Sequence, residues 1–248
     1  MTERYVLDVG NTTAAFALFT DGDVINPQRM ATNLIVSLDD FSPMFNNAIT
    51  SESHIVACVG VPRVADLLRE YQQQVGCSLS FIDGRHLGGA NVIYETPHTL
   101  GADRIANTVA VLKQDFVPCV VIDCGTAITI DVVNSDREFI GGLIAPGLET
   151  SRNALLHYAP TLPEVDLVAP IDIVGTNTVM CIQSGVMHGA AAMIDNVLEK
   201  LHRHYGITKY VLTGGHAPVL FPLLHSDVVL DEWLTLKGLG VATSPDSQ

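Results

Sequence analysis

The chain has 248 residues, with 27 Asp plus Glu against 13 Lys plus Arg and a formal charge of -14. At 48% hydrophobic and only 16% charged residues, it is too rich in core-forming side chains to be disordered. It is long enough for one large domain or two small ones, and no Lys/Arg cluster is present to neutralise phosphates, which excludes nucleic acid as the main partner.

In chain order, the apolar run 5–7 predicts a strand, followed by a tight turn at Gly10-Asn11-Thr12 and a second strand over 14–19. Asp21-Gly22 is a hairpin signal leading to a third strand near 23–25. A helix is expected over 38–50, a buried strand over 54–61, a helix over 64–75 stopped by Gly76, and a short strand over 79–82. After Gly84, Gly88 and Gly89 comes a helix over 100–113. Strand 116–122, the turn Asp123-Cys124-Gly125-Thr126, and strands 128–133 and 139–144 then repeat the opening pattern. A long helix spans 178–204, capped by Thr176 or Asn177 and ended by Gly206. Strand 210–212 runs into Thr213-Gly214-Gly215 and a further short helix, and the polar tail 244–248 is expected to fray.

The N-terminal apolar run is too short for the core of a signal peptide. Five cysteines without a CxxC pair speak against both a zinc cluster and a disulfide framework, and point to a reduced cytoplasm. Residues 173–194 carry no Asp, Glu, Lys or Arg and are long enough to cross a bilayer. Thr176, Asn177, Gln183, Ser184 and His188 would be costly there, so the stretch reads as a buried, close-packed helix and a membrane is not expected as partner.

The internal repeat carries the functional reading. Asp8-Val9-Gly10-Asn11-Thr12 and Asp123-Cys124-Gly125-Thr126-Ala127 each sit between two apolar strands, which implies two similar α/β halves. Glycine leaves backbone N–H groups unobstructed, the hydroxyls of Thr12, Thr13 and Thr126 add donors, and Asp8 and Asp123 offer oxygens to a hard cation. A single Asp-x-Gly is an ordinary turn; two in matched settings favour phosphate and metal binding. Other nucleotide sites are excluded: no GxxxxGK[ST] occurs, and no strand leads into GxGxxG. Neither GxSxG nor HExxH is present. A second constellation, 94–104, would begin a helix at Gly101 with Asp103 and Arg104 in its first turn. Asp suits that position for dipole reasons alone, whereas an Arg there invites an anionic partner and leaves Asp103 to accept a proton. Spacing alone leaves this open against a plain helix start.

Taken together, DVGNT (8–12), YETPHTLGADRIAN (94–107), DCGTAITID (123–131), GGLIAPGLE (141–149), TLP (161–163), GTNT with QSGVMHG (175–189) and LTGGHA (212–217) resemble the type III pantothenate kinases. The resemblance implies an α/β fold of two similar ribonuclease-H-like (actin-like ATPase) domains with mixed sheets and an active-site cleft between them, here 1–114 and 115–248. It further implies a cytoplasmic homodimer that phosphorylates pantothenate with ATP, the first step of coenzyme A synthesis, using Mg2+ and a monovalent cation, K+ or NH4+. By the same resemblance Asp8, Val9, Gly10, Asn11, Thr12, Thr13, Ala14 and Ala15 form the first phosphate loop, with Asp8 near Mg2+ and Thr126 on ATP. Asp103 is the base; Tyr94, Gly101, Ala102, Arg104 and Thr178 meet pantothenate; Asp123 holds the monovalent cation. A sugar kinase of the same superfold and a non-catalytic regulatory factor are the alternatives. The chain departs from the family at Thr13, where a longer polar residue is frequent, and at Ala57-Cys58, where many relatives carry a Ser pair. The second departure is expected to alter packing or loop geometry more than chemistry.

Overall fold

A computed structural model describes residues 3–243; the polar tail 244–248 lies outside the described residues. In chain order the elements are β1 (Arg4–Val9), β2 (Thr13–Thr20), β3 (Asp23–Ala31), α1 (Phe41–Met44), β4 (His54–Val59), α2 (Pro62–Val75), β5 (Ser78–Phe81), β6 (Asn91–Val92) and α3 (Ala102–Lys113). They continue as β7 (Cys119–Cys124), β8 (Ala127–Val133), β9 (Glu138–Pro146), α4 (Leu148–Tyr158), α5 (Thr178–Tyr205), β10 (Tyr210–Thr213), α6 (Ala217–Leu220), β11 (Val229–Leu230) and α7 (Leu234–Val241).

The chain divides into two compact units. One holds the chain up to Val117, Ser135–Ile140 and the chain from Trp233; the other holds Pro118–Asn134 and Gly141–Glu232. Sequence reasoning grouped everything from 115 to 248 in one half, whereas α7 and the segment 135–140 pack within the first unit. The cause lies in the side chains: Phe139, Leu236 and Leu239 are buried in one cluster with Ile105, Ala106 and Val109 of α3.

The first unit is a mixed sheet in the order β3-β2-β1-β4-β5. The pairs β1–β2 and β2–β3 are antiparallel, and β1–β4 and β4–β5 are parallel. Asp21 and Gly22 both have positive φ, 54° and 89°, as a two-residue primed hairpin turn requires. Alternation along the strands sends Leu7, Val9, Phe16 and Ile55 to one face, against Phe41 of α1 and Val64 and Leu68 of α2. The opposite face carries Val6, Ala15, Ala17, Phe19, Val56 and Cys58, covered by α3 and α7. Each large side chain fully buried this way contributes about 1.5–3 kcal/mol. Asp8, two residues on from Val6, falls on the α3/α7 face, and that parity decides where its carboxylate can act.

Two expected elements change. The helix over 38–50 shrinks to a 3-10 turn, Leu38–Asp40, and the four residues of α1, because Asn46 and Asn47 adopt left-handed φ values of 53° and 57° that no helix continues. The third strand runs on to Ala31 in spite of Pro27, which an edge strand tolerates.

The second sheet has the order β11-β10-β7-β8-β9-β6, of which the strands from β11 to β9 form its main body and β6 pairs beside β9 at Asn91 and Val92. With β7 to β11 standing for β1 to β5 that main body has the first unit's order, so the repeat read from the two Asp-x-Gly turns is a repeat of topology. Asn177 caps α5 by accepting the Met180 N–H at 2.9 Å, and Gly206 ends it with φ 68°. No described helix is long and apolar enough to cross a membrane. The helix α4, which follows Gly147, was not expected from the sequence.

Candidate active site

In the first unit β1 delivers Asp8 to the start of an exposed turn. The Gly10 N–H donates to the Thr13 carbonyl at 3.0 Å, and Thr32 ties the turn down from below, its N–H to the Thr12 carbonyl at 2.9 Å and its hydroxyl to the Gly10 carbonyl at 2.8 Å. Asn11, Thr12 and Thr13 are exposed, while Val9, Ala14 and Ala15 are buried core residues. Of the predicted phosphate-loop set, the turn residues are therefore presented outward and the strand residues hold them in place.

Asp8 is half-buried, and one row of residues crosses four strands around it. Asp8 pairs in register with Cys58 on β4 and with Ala15 on β2, and Ala15 pairs with Arg29 on β3. The Cys58 thiol donates to Asp8 Oδ1 at 3.0 Å. Burial pushes the Asp8 carboxyl up to about 7; the Cys58 bond opposes this, the Asp103 carboxylate adds to it, and the Arg29 guanidinium draws it back down. Arg29 lies over the Trp233 indole, 3.8 Å from the ring centroid. Sequence reasoning did not single out Arg29, because its place in this row follows only from the hairpin register and from a strand longer than expected.

Asp103 stands exposed in the first turn of α3, and its Oδ1 accepts the Arg104 N–H at 2.8 Å. A Cβ at residue 101 would come within 2.6 Å of that oxygen, so the bend of Asp103 toward its own backbone requires Gly101. Arg104 is 6% exposed, with its guanidinium 5.3 Å from the Phe139 centroid. Tyr94 meets the same ring edge-on at 5.9 Å, and Ala102 packs against the same cluster. Phe139 thus gathers Tyr94 and Arg104. Its sequence signal, an apolar residue just ahead of Gly141-Gly142, reads only as strand.

In the second unit Asp123 lies near the end of β7. Gly214, at φ 97°, passes so close that a Cβ there would sit 2.5 Å from Asp123 Oδ1. Thr213 pairs in register with Asp123, and its buried Oγ1 has no hydrogen-bond partner. Thr126 is exposed, and its carbonyl accepts the Gly147 N–H at 3.0 Å and the Thr150 hydroxyl at 2.6 Å. The start of α4 is thereby fastened to the second turn, and Gly147 is needed because a Cβ there would be 2.2 Å from the Gly125 carbonyl. Thr178 is exposed at the start of α5. Among the described residues no three His, Cys, Asp or Glu side chains form a metal cage. Single carboxylates beside open backbone suit a cation that takes most of its ligands from substrate phosphates and water.

The chain as a whole is similar to known proteins. A family model described as type III pantothenate kinase matches residues 5–200. The type III pantothenate kinase of Halalkalibacterium halodurans is 31% identical over 243 residues, 94% of this chain and 96% of the relative. Among solved structures, a protein from Campylobacter jejuni assigned to the Baf family of transcriptional activators superposes with a TM-score of 0.61 at 22% identity, covering 95% of this chain and 94% of that one. A ROK hexokinase from Thermus thermophilus gives 0.52 at 12% identity, covering 97% and 98%. At these identities the two structures show the fold alone, the actin-like ATPase fold also used by sugar kinases.

Proposed function

The chain belongs to the type III pantothenate kinase family and phosphorylates pantothenate with ATP in coenzyme A synthesis, and from that premise we propose that Asp8 and Asp103 divide the chemistry of transfer. The observation that carries this is their placement: both belong to the first unit, and Asp103 is near enough to act electrostatically on Asp8, although 95 positions separate them in sequence. Asp103, exposed and oriented by the Arg104 N–H, takes the proton of the pantothenate primary hydroxyl as that oxygen attacks the γ-phosphorus of ATP and the bond to the β,γ-bridging oxygen breaks, releasing ADP. Arg104 supports the anionic substrate, with Tyr94, Gly101 and Ala102 along the same wall.

The family works with ATP and a divalent metal. We take that ion to be Mg2+ held by Asp8, whose burial-raised carboxyl is suited to a cation that offsets the cost of its charge. When bound it neutralises phosphate charge during transfer. The exposed turn Gly10–Thr13 and Thr126 are assigned to ATP. Asp123 is assigned to K+ or NH4+; the partnerless Thr213 hydroxyl beside it is an oxygen of the type such an ion takes.

A homodimer is supported by the surface of the second unit: Ile171, Ile173, Val174 and Val179 are exposed in the segment that leads into and starts α5, and Thr178 lies among them. On this reading Thr178 reaches the pantothenate bound by the partner copy. Five cysteines, none in a disulfide, agree with a cytoplasmic enzyme. The family match disfavours the sugar-kinase and regulatory alternatives. Asp103→Asn tests the base assignment: turnover should fall about 10²- to 10⁴-fold with the melting temperature unchanged, and wild-type turnover would remove Asp103 from that role.

A further inference from the structure

At residue 58 the fold sets a thiol beside a carboxylate. β1 and β4 run parallel with Asp8 opposite Cys58, and both side chains point to the α3/α7 face. The strands are locked beyond that point by the Gly60 N–H donating to the Val9 carbonyl at 2.8 Å. Cys58 is 2% exposed, and its Sγ stands 3.0 Å from Asp8 Oδ1, close for a thiol donor. So buried a position gives water little chance to replace the thiol if it is removed. An ordinary small core residue would fill the same volume without directing a polar hydrogen at a carboxylate.

We propose that Cys58 is a positioning residue for Asp8: its thiol holds Oδ1 and fixes the carboxylate's orientation, so that the other oxygen is presented to the divalent cation of Mg-ATP. This rests on the reading that Asp8 serves that cation. Removing the donor frees the half-buried carboxylate to take other rotamers, and that loss of orientation weakens cation binding. Serine supplies a donor of the same valence and restores the contact. Alanine removes donor and volume together, whereas valine removes the donor and keeps the volume.

The experiment compares full-length wild type with Cys58→Ser, Cys58→Ala, Cys58→Val and Asp8→Asn. The readout is thermal stabilisation by a non-hydrolysable ATP analogue as Mg2+ is titrated, which requires no turnover and no pantothenate. The Ala and Val variants should need about 3- to 10-fold more Mg2+ for half-maximal stabilisation, with the Ser variant close to wild type. Steady-state kinetics should show the same order in the KM for Mg-ATP, with a smaller change in kcat. A purely structural Cys58 would lower the melting temperature of the Ala variant and leave every Mg2+ midpoint alone, and that result overturns the proposal. If the Val variant does not fold, the Ser–Ala pair decides. A wild type whose response to the analogue is independent of Mg2+, or an Asp8→Asn variant that matches it, overturns the assignment of Asp8 to the cation and the proposal with it. Failure confined to the Cys58 variants leaves that assignment standing.

Discussion

Asp8, the residue we assign to the cation, lowers stability where its buried carboxyl is charged. An ordinary Asp in an unfolded chain titrates near 3.9, while burial holds Asp8 at about 7 in the folded protein. Between those values the folded state binds the additional proton, so stability from this group is full below the lower value and is lost as pH rises toward the upper one. Asp8→Asn should therefore melt above wild type at pH 8 in the absence of divalent metal, with the gap closing toward pH 4, while turnover disappears. Melting curves with chelator across pH 4–8 check this; a variant that melts below wild type at pH 8 would contradict it. Asp195 behaves in the opposite sense. Burial alone would raise it, but the His225 and Ser226 N–H groups and the Ser226 hydroxyl outweigh that and hold it below the usual range. Its contribution is present above the ordinary carboxylate value and lost as pH falls through its folded value. Asp195→Ala should lower the melting temperature at pH 7, with the difference from wild type shrinking as pH falls through the carboxylate range.

Among the elements, α7 has the widest consequence for the least sequence signal. It packs on α3 with Gly238 so close that a Cβ would lie 1.9 Å from the Ala106 carbonyl, and Thr235 donates its hydroxyl to Asn107 Oδ1 at 2.9 Å. Because α3 carries Asp103 in its first turn, Gly238→Ala should cost at least about 1–3 kcal/mol and reduce turnover as α3 shifts. Chemical denaturation read beside the kinase assay checks this, and unaltered stability would show that α3 can give way. The periodic elements, α2, α5 and the β1–β2 and β7–β8 hairpins, were legible in the sequence because alternation and caps mark them. The helix α7 was not: its apolar face is nearly continuous and its glycines serve a close approach that only the fold creates. Asp8, Asp103 and Thr126 are marked by motifs in the sequence, whereas the contacts of Cys58, Arg29 and Phe139 depend on strand register and on a segment, 135–140, that packs in the first unit.

For the whole molecule, the low charge fraction that opened the sequence reading has a location. Uncharged residues 173–194 begin among exposed Ile173, Val174 and Val179, and Gly185 and Gly189 of α5 have open space where a Cβ would be. Light scattering should give about twice the 26.6 kDa chain mass, and a paired Ile173→Asp, Val174→Asp change should halve it and raise the KM for pantothenate through Thr178. The central claim is a pantothenate kinase whose base is Asp103, and it is tested most directly by ADP release from ATP with Mg2+ and K+. The account predicts release that depends on pantothenate and falls by at least about 100-fold in Asp103→Asn. Pantothenate left unmodified by wild type, or phosphorylated equally well by the variant, would contradict it.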